Sequence, residues 1–362
     1  MAEALTLPLL SLPDDEIIQK LREMDLKEVL KFSLISERSK ELVKSAEIKG
    51  ALLTVRVGSD IKIYMTTETQ ASFANLICYR EPDMYWAQGA YGRKKKLTAP
   101  QSVFFGELRY IGEDTTSELE KKDYTMKEWL EHLQEIFHYR KIDSIWFREN
   151  SSEFDLDDIK EAFGTTGRVD IGDTGCHAFN QMILELFPIK EISIKNSSFP
   201  NSIIPEKVLK QNFVRLQIGE IHETTSMTLD ELLLVNSKLI QIRGLQLPAK
   251  QFNEFIKQWQ NGSNPHMEYL YISYPHLRDA AVHQAIDEED YAKVIMEGID
   301  HFVIPPDTSR HFKVAGFKIL GWRSGGIGIS RKDGAKATIQ LKTSRVPEWQ
   351  MFVWFDHCIV ES

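Results

Sequence analysis

The sequence has few cysteines, no long apolar run and no excess of positive charge. Its 362 residues include only three cysteines, Cys78, Cys176 and Cys358, whose wide spacing gives neither a disulfide framework nor paired metal ligands. Such cysteine usage favours a reducing cytoplasmic and/or nuclear compartment. No stretch approaches the roughly 18 uninterrupted apolar residues of a membrane helix, and residues 1–13 lack the features of a secretory signal. We therefore expect neither secretion nor a membrane partner.

The charge balance argues against a nucleic-acid partner. The chain has 44 basic and 53 acidic residues, a formal net charge of −9, whereas nucleic-acid-binding domains present a basic surface. Its 42% hydrophobic and 27% charged residues are ordinary for a globular protein. At roughly 100–200 residues per domain, the length predicts two or three domains.

Motifs for catalysis are also lacking. There is no phosphate-binding Gly-x4-Gly-Lys-Ser/Thr loop, no His-Glu-x-x-His and no Gly-x-Ser-x-Gly. Cys176 is followed by His177, and His357 by Cys358, but neighbouring side chains on a strand or helix point apart. We expect no catalytic residues, no metal site and no cofactor, with an enzyme that uses Cys176 and His177 as the rival interpretation.

Residues 5–46 predict three short helices. Asp14 and Asp15 suit the start of the first helix, where negative charge is favourable. Asp25 is the expected cap of the second, and the third carries Leu34 and Ile35. A module of this size cannot bury a core alone. Its apolar side chains either bind a partner or dock on the body of the same protein, and the pattern leaves both open.

The same residues resemble an F-box. The similarity rests on Leu10-Ser11-Leu12-Pro13, Ile17-Ile18, Met24-Asp25-Leu26 and Ser33-Leu34-Ile35-Ser36 in order. The resemblance implies binding to the Skp-type adaptor of a cullin-based ubiquitin ligase. It also implies which residues face the adaptor: Leu9, Leu12, Pro13, Ile17, Ile18, Leu30, Ser33 and Leu34. Ser36, Glu37 and Ser39 depart from the usual residues of the motif.

The middle of the chain contains a period of about 24 residues. The pattern apolar-x-x-apolar-x-apolar centres on positions 145, 169, 192, 216, 240, 270 and 302. Helical patterns lie between these strands at 155–163, 177–187, 205–212, 228–236, 250–260 and 277–297. This alternation predicts an α/β, leucine-rich-repeat-like β-α solenoid. A non-repeating α/β domain with a parallel sheet is the alternative.

The flanks of this body are predicted to be β-rich caps. Strand patterns occur at 52–57, 61–66, 73–79 and 103–110, and again at 312–320, 327–331, 337–342 and 350–355. Gly325-Gly326 and Asp333-Gly334 are predicted turns. The predicted organisation is an F-box at 5–46, an N-terminal cap at 47–118, the repeat body at 119–305 and a C-terminal cap at 306–362.

Within that body, a second resemblance appears. Phe252-Asn253-x-Phe255-Ile256-Lys257-x-Trp259, then Gly262-Ser263-Asn264-Pro265, and the later Ile329-Ser330-Arg331-Lys332-Asp333-Gly334 resemble the type-2 F-box-associated domain of nematode F-box proteins. The region concerned is about 185–272. From the residues themselves, Trp259 is expected to be a core side chain on an apolar helix face.

The predicted repeats also indicate a binding face. Side chains that alternate with the buried strand positions would share one surface of the sheet, and Trp, Tyr and Arg dominate interface energetics. The candidates for binding an unknown protein substrate are Trp146, Arg148, Arg168, Arg215, Gln217, Arg243, Tyr269 and Tyr271. The arginines would favour an acidic or phosphorylated ligand, and a solvated face that binds nothing is equally compatible with the pattern.

These predictions combine into one functional hypothesis. The chain would be a non-catalytic substrate-recognition subunit of a Skp–cullin–F-box ubiquitin ligase, with the adaptor and cullin as partners. The alternative is a protein-interaction scaffold with a degenerate F-box that works outside any ligase.

Overall fold

The structure is a computed structural model, and it describes residues 9–68, 73–77, 94, 97, 103–108, 116–119, 123–220, 222–245, 247–274, 288–314, 317–342 and 348–360. The chain divides into two compact units, Met1–Pro188 and Ile189–Ser362. Both are mixed α/β structures, as the sequence predicts. Among the described residues, no helix has the length and apolarity to cross a bilayer.

Three helices open the first unit: α1 (Asp14–Glu23), α2 (Leu26–Ser33) and α3 (Glu37–Ser45). The Asp25 side chain accepts a hydrogen bond from the backbone N–H of Glu28 at 2.8 Å and caps α2, as predicted. Ser36 caps α3 in the same way by accepting from the N–H of Ser39 at 3.1 Å. Leu34 and Ile35 therefore lie in the turn before α3 rather than inside it, which corrects the predicted boundary.

Two of these helices, α2 and α3, contact a fourth helix, α4 (Met126–Ile136), which begins with a capping box between Thr125 and Glu128. Ser33 of α2 is hydrogen-bonded to His132 of α4 at 2.8 Å. Apolar side chains of the N-terminal helices are fully buried in this arrangement: Ile17, Leu21, Val29, Phe32 and Val43. Part of the apolar surface predicted for a partner is thus covered by the same protein.

A sheet forms the body of the first unit. Its strands are β1 (Gly50–Val57), β2 (Ile61–Thr67), β3 (Phe73–Ile77), β4 (Val103–Leu108), β5 (Thr116–Leu119), β6 (Ser144–Phe147) and β7 (Arg168–Ile171). They lie in the order β5-β4-β3-β2-β1-β6-β7. Strands β1 to β5 pair antiparallel, whereas β6 is parallel to both β1 and β7. The predicted N-terminal β-rich segment is therefore continuous with the first parallel strands, and α5 (Leu156–Phe163) connects β6 to β7.

The second unit follows α6 (His177–Leu186), which ends the first. Its elements in chain order are β8 (Glu191–Ile194), α7 (Glu206–Leu209), β9 (Arg215–Ile218), α8 (Leu229–Leu234), β10 (Leu239–Arg243), α9 (Ala249–Gln260), β11 (Tyr269–Ser273), α10 (Glu288–Met296), β12 (His301–Val314), β13 (Phe317–Ser330), β14 (Lys336–Lys342), β15 (Glu348–Val353) and β16 (Ile359–Val360). Strands β8 to β11 are parallel neighbours, and β15, β14, β13, β12 and β16 continue the sheet antiparallel.

The register of the parallel strands follows the predicted period. Ile192, Leu216, Ile240 and Leu270 are direct neighbours across β8 to β11, and Ile145 pairs with Val169 across β6 and β7. All of these side chains are buried. The apolar positions of the pattern therefore form the core below the sheet, and the residues between them face the other side.

Two sequence predictions in the C-terminal segment are wrong. The seventh repeat, centred on Phe302, lies in β12, which pairs antiparallel with β13 rather than parallel with β11, and the Phe302 side chain is 54% exposed. Gly325 and Gly326 are not a turn but an irregular point inside β13, where φ is 68° and 123°. The register between β12 and β13 shifts there, as in a β-bulge.

Candidate interaction surfaces

The N-terminal helices divide the predicted adaptor residues into two groups. Ile17, Leu30 and Ser33 are buried inside the first unit, because their helix faces pack on one another and on α4. Leu9, Leu12, Ile18 and Leu34 are half-buried and Pro13 is exposed. Ile35, which the sequence prediction left out of the adaptor set, is 47% exposed. Only this second group is available to a partner in the present arrangement.

An ion pair links the two chain segments that carry the exposed and half-buried apolar residues. Arg38 at the start of α3 donates to Asp14 at the start of α1, with 2.7 Å between Nη2 and Oδ1. The segment before α1 and the turn before α3 therefore lie at the same end of the module. Ile18 follows Asp14 by four residues and so lies on the same face of α1. We call this set the N-terminal apolar surface: Leu9, Leu12, Pro13, Ile18, Leu34 and Ile35.

The first unit places Trp146, Arg148 and Arg168 on the sheet face opposite the core. The Trp146 ring lies 5.7 Å from that of Tyr64 on β2, and the Arg148 guanidinium lies 5.4 Å above Trp146. Arg148 also donates to Asp170 at 2.7 Å, so its charge is offset by a neighbouring strand. Arg168 is exposed at the start of β7. A ligand on this face would therefore meet mainly the aromatic rings of Tyr64 and Trp146, since the charge of Arg148 is paired with Asp170.

The second unit places the remaining candidates along β9 to β11. Arg215 donates to the side-chain oxygen of Gln241 at 2.7 Å and to that of Gln217 at 3.4 Å. Both of these partners are neutral amide side chains. Arg243 is half-buried on the same face. The Tyr271 hydroxyl donates to Glu348 at 3.0 Å, and burial raises the pKa of Tyr271.

Tyr269 belongs to the core instead. It is 5% exposed, and its ring lies 5.1 Å from that of Phe352 and 6.3 Å from that of Phe312. Strands β12 and β15 supply these covering rings from far along the chain. The side chain is therefore not available to a substrate in this structure.

The motif residues of the F-box-associated resemblance are structural. Phe252, Phe255, Ile256 and Trp259 are fully buried along one face of α9, so the prediction of Trp259 as a core residue is confirmed. The Arg331 guanidinium lies 5.2 Å from the Trp259 ring and 5.7 Å from the Phe355 ring. The helix motif and the later Arg331-Lys332-Asp333-Gly334 motif thus pack on each other.

Two asparagines of these motifs bind the ends of other helices, a role that the sequence analysis missed. Nδ2 of Asn253 donates to the carbonyls of Ile295 and Glu297 at 2.7 and 2.8 Å, at the end of α10. Nδ2 of Asn264 donates to the carbonyls of Leu232, Leu233 and Val235 at the end of α8. The last carbonyls of a helix have no partner within it, so both amides act as external caps.

Known proteins with similar sequences support the F-box-associated resemblance of these motifs. The profile of a family described as F-box associated matches residues 204–272. The F-box associated domain-containing protein sdz-33 of Caenorhabditis elegans is 23% identical over 349 residues, which cover 92% of this chain and 93% of that protein. No solved structure matches the chain significantly. These findings confirm the resemblance seen in the sequence: residues 204–272 match the F-box associated family, and most of the chain is similar to a nematode protein that carries such a domain.

Proposed function

We propose that the chain is the non-catalytic substrate-recognition subunit of a Skp–cullin–F-box ubiquitin ligase. The observation that carries the proposal is the N-terminal apolar surface. The three N-terminal helices bury most of their apolar residues inside the first unit, yet six apolar residues at one end remain half-buried or exposed. The exposed charged side chains of Asp14, Asp15 and Arg38 lie at the same end of the module. An apolar centre with a polar rim is the usual anatomy of a protein-binding surface.

The attachment of the helices to the body suits a positioning role. Besides the Ser33–His132 hydrogen bond, Lys40 and Lys44 form ion pairs with Glu135 of α4 at 2.5 and 3.0 Å. A ligase receptor raises the effective concentration of a substrate near the conjugating enzyme. That effect is larger when the adaptor-binding module is held against the substrate-binding body instead of hanging on a flexible linker.

The body would hold the substrate on its strand faces. We propose that the parallel strands and their helices form a leucine-rich-repeat-like body at 119–305, between β-rich caps at 47–118 and 306–362 and behind an F-box at 5–46. The regular steps between buried positions support this organisation. The substrate surface of the first unit would centre on Trp146, Arg148 and Arg168, and that of the second on Arg215, Gln217, Arg243 and Tyr271. Such a receptor would act in the cytoplasm and/or the nucleus.

The test is capture of a purified Skp-type adaptor and cullin by the full-length protein. Ile35→Glu and the double variant Leu12→Ala/Pro13→Ala are compared with wild type. Ile203→Glu is the matched control, because Ile203 is an isoleucine of the second unit that is 58% exposed. We expect wild type and Ile203→Glu to capture both partners, and the two N-terminal variants to lose most of the capture. Equal capture by all four proteins would contradict the proposal.

The scaffold alternative predicts a different result in the same assay. A protein with a degenerate F-box would bind the adaptor without recruiting cullin, or would bind neither. The variant Cys176→Ser distinguishes the enzyme alternative from the receptor proposal. Cys176 lies at an exposed position. Under the receptor proposal this change leaves ubiquitination of a bound substrate unaltered, whereas loss of activity would favour a catalytic cysteine.

A further inference from the structure

Three possible metal ligands converge in the second unit, outside the surfaces described above. Donor atoms of Glu268, His357 and Cys358 all lie within 4.8 Å of one another, and we call these residues the Glu268 cluster. Glu268 directly precedes β11, whereas His357 and Cys358 lie in the short helical turn Asp356–Cys358 near the end of the chain. Within the described part of the chain, these residues form a group of three ligands of different chemical type.

The convergence of His357 and Cys358 was not expected from their positions. Adjacent side chains on a regular strand or helix diverge, and the sequence analysis rejected the pair for that reason. In the tight turn that they occupy, both side chains instead approach the same carboxylate. Nε2 of His357 is 3.0 Å from Oε1 of Glu268, and Cys358 is buried beside it.

Surrounding contacts hold the three ligands in place. The N–H of Val353 donates to the carbonyl of Glu268 at 2.9 Å, and the N–H of Cys358 donates to the carbonyl of Phe355 at 2.8 Å. The imidazole of His357 stacks on the Phe355 ring, with centroids 5.6 Å apart and planes 4° from parallel. Outer contacts of this kind orient the ligands of a metal site.

Burial makes the cluster unusual. The Glu268 side chain is only 2% exposed. Its Oε1 forms an ion pair with Nζ of Lys238 at 3.0 Å. Buried carboxylates are stable only when paired or bound to a metal. A thiol, an imidazole and a carboxylate together are typical ligands of Zn²⁺. On a tetrahedral zinc ion, ligand atoms lie about 3.4–3.7 Å apart. Binding therefore requires the Glu268 and His357 donor atoms to separate slightly from 3.0 Å, and any donor pair near the 4.8 Å limit to approach by about 1 Å.

We propose that Glu268, His357 and Cys358 bind a Zn²⁺ ion, with a fourth position open to water on the exposed side of His357. Binding forms a zinc–sulfur bond, and the thiol proton of Cys358 leaves to the solvent buffer. The ion would clamp the C-terminal turn to the start of β11. Lys238 would remain as a positive neighbour that weakens the site.

The test is equilibrium dialysis of the full-length protein against Zn²⁺, followed by measurement of bound zinc, together with absorption spectra after titration with Co²⁺. Variants Cys358→Ser and Glu268→Gln preserve side-chain size. Cys176→Ser and His177→Gln are the controls, because they change a cysteine and a histidine at exposed positions of the first unit. Circular dichroism without metal shows that each variant is folded.

We expect about one zinc per wild-type chain, at least about tenfold weaker binding in Cys358→Ser and Glu268→Gln, and unchanged binding in both controls. The thiolate-to-cobalt charge-transfer band should be present in wild type and absent in Cys358→Ser. Lys238→Met should bind zinc more tightly, a change that a purely structural ion pair does not predict. Wild-type protein without a charge-transfer band, or with no more zinc than Cys358→Ser, would overturn the proposal, and the first of these needs no variant to fold.

Discussion

The hydroxyl of Ser33 in α2 lies 2.8 Å from Nε2 of His132 in α4, and both residues are buried. The same hydroxyl donates its proton to the carbonyl of Leu30 at 2.7 Å. The two side chains therefore share a buried hydrogen bond whose donor is set by the tautomer of His132. This bond joins the N-terminal helices to the body across 99 residues of sequence.

Replacement of Ser33 by alanine should destabilise the first unit. The change leaves the buried Nε2 atom of His132 without this hydrogen-bond partner, which costs about 1–3 kcal/mol. Ser45→Ala is the matched control, since the Ser45 hydroxyl donates to a helix carbonyl at an exposed position; its effect should stay within about 0.5 kcal/mol. Urea unfolding measures both, and equal effects would show that the Ser33–His132 bond contributes nothing.

Acid should weaken the attachment of α3 to α4. Hydrogen bonds from Lys40 and Lys44 lower the pKa of Glu135 from 4.5 to about 2. A folded-state pKa below the unfolded value stabilises the fold above pH 4.5, and the contribution disappears as the pH falls toward 2. The effect is modest, because the Glu135 side chain is 41% exposed and screened by solvent.

Glu135→Gln tests this expectation. Its urea midpoint should be lower than that of wild type at pH 7 in low salt, and the two should converge near pH 2. Glu131→Gln, an exposed change on the same helix, should follow wild type at every pH. A difference between wild type and Glu135→Gln that is independent of pH would contradict the prediction.

Asn264 should be a sensitive position of the F-box-associated motif. It is buried, its φ of 51° is left-handed, and its amide caps α8. Asn264→Ala should cost about 2–4 kcal/mol, because it removes the buried hydrogen bonds and places an alanine in the left-handed region. Asn264→Gly keeps the backbone relaxed and should cost about 1 kcal/mol less. Thermal unfolding measures the loss of stability in each variant. Equal losses in Asn264→Ala and Asn264→Gly would show that the backbone conformation at this position contributes nothing.

Gly219, directly after β9, should tolerate no side chain. A Cβ there would collide with the Thr225 hydroxyl and the Arg243 carbonyl, and φ is 78°. Gly164 has a similar φ of 69° but open space around it. Gly164→Ala should therefore cost about 1–3 kcal/mol from the backbone alone, and Gly219→Ala more than about 4 kcal/mol or failure to fold. Unfolding by urea compares the two, and similar losses would argue against the close approach.

Local patterns predicted the elements well where each residue's environment is set by near neighbours. Asp25 caps its helix through an N–H group three residues away, as predicted, and the buried positions from Ile145 to Leu270 recur because each parallel strand repeats the same contacts. The face of α9 that carries Trp259 followed from helical spacing in the same way.

Contacts between distant segments were not predictable. Tyr269 looked like a surface residue because its cover comes from strands about 80 residues later, as its hydrogen bond to Gln350 shows. The pairing of β1 with β6 spans 90 residues between Thr54 and Ser144. The approach of His357 and Cys358 to Glu268 depends on a tight turn that no periodic pattern encodes.

The long span between β1 and β6 also has a consequence during synthesis. The N-terminal helices emerge from the ribosome first, but α4 and β6, on which they and β1 pack, follow roughly 90 residues later. At about 5–20 residues per second, the apolar faces of these helices remain uncovered for about 5 to 20 seconds. Nascent chains would therefore depend on early chaperone contact, and truncation before β6 would leave an aggregation-prone fragment rather than a folded N-terminal domain.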